Sequence, residues 1–317
     1  MATVALQRRG RRRRPDAVFR NVSGGTAVLV LALVVAIAVF LVAKALPAFR
    51  TAGVGFFMER SWFPDASTPA FGVAALVWGT VMSSVLALAI AVPVAIGSAL
   101  FVTELAPRRV GTWLGYALDL LAAVPSVVYG LWGVYFLVPR MIPMQRWLGT
   151  HLDVVPLFHN PDALYGRSIF AASVVLAIMI LPITAAILRE VFQQVPTADR
   201  EAALALGATR WESIRMAVLP FSRSGVVGAV MLGLGRALGE TIAIALVLAA
   251  SYDVTLNVLK PGGNTIAANI ALKFGESGAL GREALIASGL VLFAITLVVN
   301  VAARGVVARS SRRRAGA

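Results

Sequence analysis

A chain of 317 residues with 59% hydrophobic and 14% charged side chains has too little polar surface to cover soluble domains, which carry about 25% charge. The absence of cysteine excludes disulfides, zinc–thiolate sites and thiol catalysis, and His151 and His159 alone leave little material for a histidine metal site or catalytic base. A formal net charge of +14 on so few charged residues must be explained by where they sit.

Six stretches reach the roughly 20 apolar residues that cross a bilayer. They lie at 26–46, 74–102, 112–139, 168–188, 224–250 and 283–301, which predicts an all-α polytopic membrane protein with six transmembrane helices. The first follows a basic tail, and Ala43-Lys44-Ala45 imitates a signal cleavage site. Its apolar run is about twice a signal core, so a retained anchor is expected. The layout is then a basic tail at 1–25, a first helix at 26–47, an external loop at 48–73, a five-helix domain at 74–305 and a basic tail at 306–317. Pro93, Pro125 and Pro182 fall inside spans, where each removes a helix hydrogen bond and kinks its helix. Whether Pro125 and Ser126 bend the third span around a pathway or only set packing is open. Asp119 in the same span reads as a pathway residue or as a packing acid bonded to a neighbour.

With the N-terminus cytoplasmic, the inside segments hold 19 basic residues and the outside segments hold 9, leaving Arg236 within the membrane. The positive-inside bias puts both termini in the cytoplasm. Topogenesis and attraction to anionic membrane lipids account for the arginines, and no nucleic-acid partner is expected.

Between the fourth and fifth spans, residues 196–220 read as a helix–turn–helix knuckle. Pro196-Thr197-Ala198-Asp199 supplies a helix start with a side-chain oxygen as cap, and Glu201, Ala202 and Ala203 open a strongly helical run. Gly207 ends that helix, Thr209 and Glu212 form a capping box, and Leu219-Pro220 lead into the fifth span. An amphipathic linker lying on the membrane is the alternative. Glu201, Ala202, Ala203, Gly207, Leu219 and Pro220 have the spacing of the EAA loop of ABC importer permeases, except that Ala217 stands where that pattern has isoleucine. The resemblance implies a coupling helix that docks on a cytoplasmic ATPase.

In the fifth span, the glycine-rich run around Arg236 and Glu240 is neither a Walker A loop nor a dinucleotide fingerprint, and no ATP site is expected anywhere in the chain. Arg236 and Glu240 are four residues apart, predicting one helix face, with Gly235 and Gly239 allowing close helix approach. Two uses are open: an ion pair holding helices together, or an anion site in which the guanidinium fork meets phosphate or carboxylate oxygens. Glu240 would neutralise the arginine when the site is empty, and would accept a hydrogen bond from a protonated phosphate oxygen that sulfate cannot offer.

The run Gly235–Thr241 resembles phosphate-specific ABC permeases, as do Pro125-Ser126-Val127-Val128-Tyr129-Gly130 and Ala91-Val92-Pro93 with Ile96-Gly97. The first span and Trp62-Phe63-Pro64 look more like the PstC-type than the PstA-type subunit. The resemblance, over residues 70–305, implies the type I importer (MetI-like) fold and a phosphate pathway holding Arg236, Glu240, Thr241 and Ser126. It also implies a PstA-type second permease, two copies of an ATPase and an external phosphate-binding protein, with no cofactor and no metal. Permeases for sulfate or molybdate, and a secondary anion transporter, are the competing readings.

Overall fold

The computed structural model describes residues 13–315 and the side chains of residues 18–305. The side chains of the basic clusters at 8–14 and 309–314 lie outside the described residues. Among the described residues, six helices are long and apolar enough to cross a membrane: Val18–Phe57, Ala74–Leu105, Ser126–His151, Ile169–Gln193, Arg210–Leu238 and Ala279–Gly305. An even number of crossings returns both termini to one side, called here the terminal face.

In chain order, α1 (Arg13–Ala52) leads through a short 3-10 turn into a hairpin that pairs Trp62 with Phe71 and Phe63 with Ala70. At 40 residues and 1.5 Å per residue, α1 is about 60 Å long, twice the hydrocarbon core. Next, α2 (Ala74–Leu100) runs into a π-helical turn, Phe101–Leu105. It is followed by α3 (Arg108–Ala122), α4 (Ser126–Trp132), a second π turn at Gly133–Leu137 and α5 (Val138–His151). The fourth span is α6 (Ile169–Gln193), and the knuckle holds α7 (Thr197–Ala205) and α8 (Arg210–Ser213). A third π turn, Ile214–Val218, opens into α9 (Leu219–Leu238), then α10 (Ile242–Val247), α11 (Ile266–Lys273) and α12 (Ala279–Ala315).

The core gathers around α6, whose Leu176, Ile180 and Leu188 are fully buried, with α2, α9 and α3 packed against it. In contrast, α1 is exposed along most of its length and packs through Ala45 and Ala48 in a cluster shared with Leu285 of α12. That is the pattern of a helix at the periphery of this chain's bundle. Pro93 and Pro182 sit within continuous helices.

Two predicted spans are broken. The third does not run 112–139: α3 stops at Ala122, and the crossing helix begins at Ser126 and extends to His151. The cause is Pro125, which cannot donate to the Leu121 carbonyl and whose ring would clash with it. The freed oxygen instead accepts from the Val124 N–H at 3.2 Å and the Tyr129 hydroxyl at 2.9 Å. Asp119 thus leaves the span and bonds Arg189, in the last two turns of α6, at 3.3 Å, as a packing acid does. The shift also brings Arg140 and Arg146 inside the third crossing helix and shortens the loop that follows. The fifth span does not run unbroken over 224–250 either, because α9 ends at Leu238 and α10 starts at Ile242.

Candidate translocation site and coupling knuckle

The break in the fifth span separates the two charges that the sequence places on one helix face. Arg236 lies in the last turn of α9 and is exposed, whereas Glu240 lies beyond the helix end and is 8% exposed. No ion pair joins them among the described residues. Glu240 is occupied otherwise: its Oε1 accepts from the Ala243 N–H at 3.2 Å, placing a carboxylate at the positive end of α10. The opposite end of α10 is held by Arg167, which donates from Nε to the Val247 carbonyl at 3.1 Å and from Nη2 to those of Leu246 and Leu248. An acid at one terminus and a guanidinium at the other hold this short helix in place. In the sequence Arg167 reads as one more loop cation, and only its position against three carbonyls reveals this use.

Packing fixes the depth. A Cβ on Gly233 would stand 2.9 Å from Thr184 Oγ1 of α6 and 3.8 Å from Leu88 Cδ2, and Leu88 is at the middle of the Ala74–Leu105 crossing helix. Arg236, one turn further along α9, is therefore near the middle of the bundle. Gly235 beside it has open space where a side chain would stand.

The third-span motif comes to the same place. A Cβ on Gly130 would come 2.8 Å from Ala243 Cα, and one on Gly133 would come 3.1 Å from Val247 Cγ2. The rising order of both pairs shows α4 and α10 parallel and in close contact. Within the motif Pro125 stops α3, Tyr129 bridges the stop, and Gly130 admits α10. Ser126 opens α4 and is half-buried. Thr241 is half-buried, its hydroxyl donating to the Gly239 carbonyl at 3.1 Å.

The knuckle forms a separate site at the terminal face. In place of a side-chain cap, α7 starts on Pro196 itself, whose carbonyl accepts from the Asp199 N–H at 3.2 Å. At its end Gly207, with φ +85°, donates to the Leu204 carbonyl at 2.9 Å, while the Ala208 N–H reaches that of Ala203 at 3.2 Å. This is a Schellman closure, which needs the left-handed backbone that glycine adopts freely. The capping box is formed: the Thr209 N–H donates to Glu212 Oε2 at 2.7 Å, and the Glu212 N–H donates to Thr209 Oγ1 at 3.3 Å. Ala203 is buried, Glu201 and Ala202 are exposed, and Leu204, Leu206 and Trp211 present apolar surface. Leu219 and Pro220 follow the π turn Ile214–Val218 directly, inside the continuous crossing helix Arg210–Leu238.

Residues 91–315 match the family described as the binding-protein-dependent transport system inner membrane component. A Mycobacterium tuberculosis protein named phosphate transport system permease protein PstC 2 is 44% identical over 309 residues, covering 96% of this chain and 95% of that one. The Xylella fastidiosa (strain Temecula1) protein named phosphate transport system permease protein PstC is 40% identical over 305 residues, covering 95% and 93%. Among solved structures, a chain of a bacterial ABC transporter involved in alginate import aligns with TM-score 0.56 at 17% identity, over 92% of this chain and 99% of that one. A chain of the MetNI methionine ABC transporter, in an inward-facing conformation, gives 0.51 at 18% identity over 75% and 95%. At those identities the two structures speak for the fold alone, which is the MetI-type ABC permease fold. From its sequence relatives and its six-span helical fold, the chain belongs to the inner membrane components of binding-protein-dependent transport systems, as a PstC-type permease.

Proposed function

We propose that the chain carries inorganic phosphate into the cell, pairing with a PstA-type permease in the plasma membrane and powered by two copies of an ATPase that dock on the α7–α8 knuckle. The observation that carries this reading is Arg236, a guanidinium exposed at mid-depth with no carboxylate partner among the described residues. A charge at the centre of a bilayer costs about 3 kcal/mol on insertion scales unless it faces a partner or a water-filled path. The second permease would supply the other wall of that path, against the face that carries Gly235. The fork of Arg236 would hold phosphate, with Ser126 and Thr241 as hydroxyl donors and Glu240 as acceptor for a protonated phosphate oxygen. The relatives' names supply the anion, and the excess of basic residues toward the termini supports a cytoplasmic terminal face.

An external phosphate-binding protein would deliver the anion to the opposite face, and ATPase closure would switch the bundle between outward- and inward-open states. Energetics agrees with an ATP-driven partner: bringing a divalent anion in against a negative-inside potential costs about 2.3 kcal/mol per charge per 100 mV.

Phosphate uptake by vesicles holding the whole complex tests the reading. Arg236→Gln should lower uptake by about 10- to 100-fold, the weight of a charge-assisted pair of hydrogen bonds, with all subunits still copurifying. Full uptake in that variant would remove Arg236 from the path. Inhibition of wild-type uptake by excess sulfate would point to a broader oxyanion permease, and uptake that survives ATP depletion would point to a secondary transporter.

A further inference from the structure

We propose that Arg200 and Glu104 form a clasp that carries movement of the knuckle into the second and fourth spans, making Glu104 a positioning residue for transport. This rests on the knuckle being the seat of the ATPase. Arg200 stands in the first half of α7, and its Nη2 donates to the Phe192 carbonyl of α6 at 2.6 Å. The same nitrogen lies 3.0 Å from Glu104 Oε1, in the π turn that ends the second span. Both side chains are largely buried, at 24% and 13% exposure, and the Arg200 Nε–H and Glu104 Oε1 are each buried without a hydrogen-bond partner, so the two side chains meet as an ion pair and not in hydrogen-bond geometry. One guanidinium therefore touches three elements, with one hydrogen bond and one ion contact as its compensation for leaving water.

The Phe192 carbonyl is in the last turn of α6, where the helix has no N–H to offer and a cation is favoured. Glu104 is the odd partner. It is an acid buried at a helix C-terminus, where the macrodipole disfavours negative charge. Stability alone is served as well or better by an apolar residue at such a position. The clasp instead supplies an electrostatic tie between parts that the chain does not join closely. The knuckle continues into α9 through the turn at Ile214–Val218 and connects back to α6 through residues 194–196, but α2 lies far away along the chain. Its other meeting with the knuckle side is apolar, Ala99 and Leu100 in one cluster with Ile214 and Val218, a contact that can slide. Separating the clasp would leave two largely buried charges unpaired, which holds the two ends together as the knuckle moves. A push on α7 thereby moves the ends of α2 and α6 together with the base of α9, on which Arg236 rides.

The test uses the complete complex of this chain, a second permease, ATPase and binding protein in proteoliposomes. The readouts are phosphate uptake per ATP hydrolysed and the amount of copurified ATPase. Glu104→Gln and Arg200→Gln should each retain the ATPase and its hydrolysis while lowering uptake per ATP by roughly tenfold, and the double variant should be no worse than either single one. Glu104→Asp, with the charge kept on a shorter arm, should recover part of the loss. Wild-type uptake per ATP in Glu104→Gln would overturn the proposal, as would losses that multiply in the double variant. So would loss of the ATPase from Glu104→Gln alone, which would make the pair an assembly element. Absence of ATPase from the wild-type preparation would instead overturn the reading of the knuckle.

Discussion

Arg236 and Glu240 show how four residues of sequence can separate two environments. The arginine ends a helix and looks outward; the glutamate, past the break at Gly239, turns inward to the start of α10. The sequence shows the residue types and their approximate depth, because a charge inside an apolar run is conspicuous. It does not show that they part, because Gly239 inside such a run reads as readily as a packing contact as a helix end. Since an amide oxygen accepts from the Ala243 N–H as a carboxylate does, Glu240→Gln should leave α10 seated and the complex assembled. If the carboxylate reads a protonated phosphate oxygen, that variant should discriminate phosphate from sulfate about tenfold less well, measured by competitive uptake. Unchanged discrimination would confine Glu240 to capping. Arg167, whose use depends on three carbonyls 79 to 81 residues away, has no signal in the sequence at all.

Among the elements, those governed by local chemistry are the most legible. The knuckle is readable almost residue by residue, since caps, boxes and glycine closures are settled within five or six positions. Its one surprise is Pro196, which caps α7 through its own carbonyl where the sequence leads one to expect a side-chain oxygen. Broken spans are harder to read, because hydropathy averages over about 20 residues and does not register where backbone hydrogen bonding stops. Pro125 is visible, but the stop is made stable by a Tyr129 hydroxyl eight residues from its acceptor. The φ of +85° at Gly207 gives a direct test at this scale. Gly207→Ala should destabilise the Schellman closure by about 1–2 kcal/mol. On the proposed reading, ATPase copurification and transport should fall together, while thermal denaturation of the purified permease pair should change little. Intact ATPase binding would return the knuckle to a membrane-surface linker.

For the whole molecule, the lone chain is an incomplete solution of its own electrostatics, since Arg236 is exposed at mid-depth beside the bare surface of Gly235. Replacing it should therefore separate stability from function. Expressed without a second permease, Arg236→Leu should accumulate in membranes at a higher level than the wild-type chain, gaining up to about 3 kcal/mol of insertion free energy. In the complete complex the same variant should assemble and fail to transport. Equal accumulation of the two lone chains, by quantitative blotting of membrane fractions, would mean that the arginine is already solvated within this chain.

At the opposite end of the bundle, Asp65 in the hairpin after α1 accepts from the Gly278 and Gly281 N–H groups at 2.9 Å each, at the start of α12. That carboxylate adds to the apolar packing of Ala45 and Ala48 in the cluster shared with α12, and ties the hairpin after the first span to the start of the last, at the end remote from the termini. α1, the hairpin and α12 are in this way bound as one panel at that end, on a tie that a local sequence pattern does not reveal because Asp65 and its partners are more than 200 residues apart.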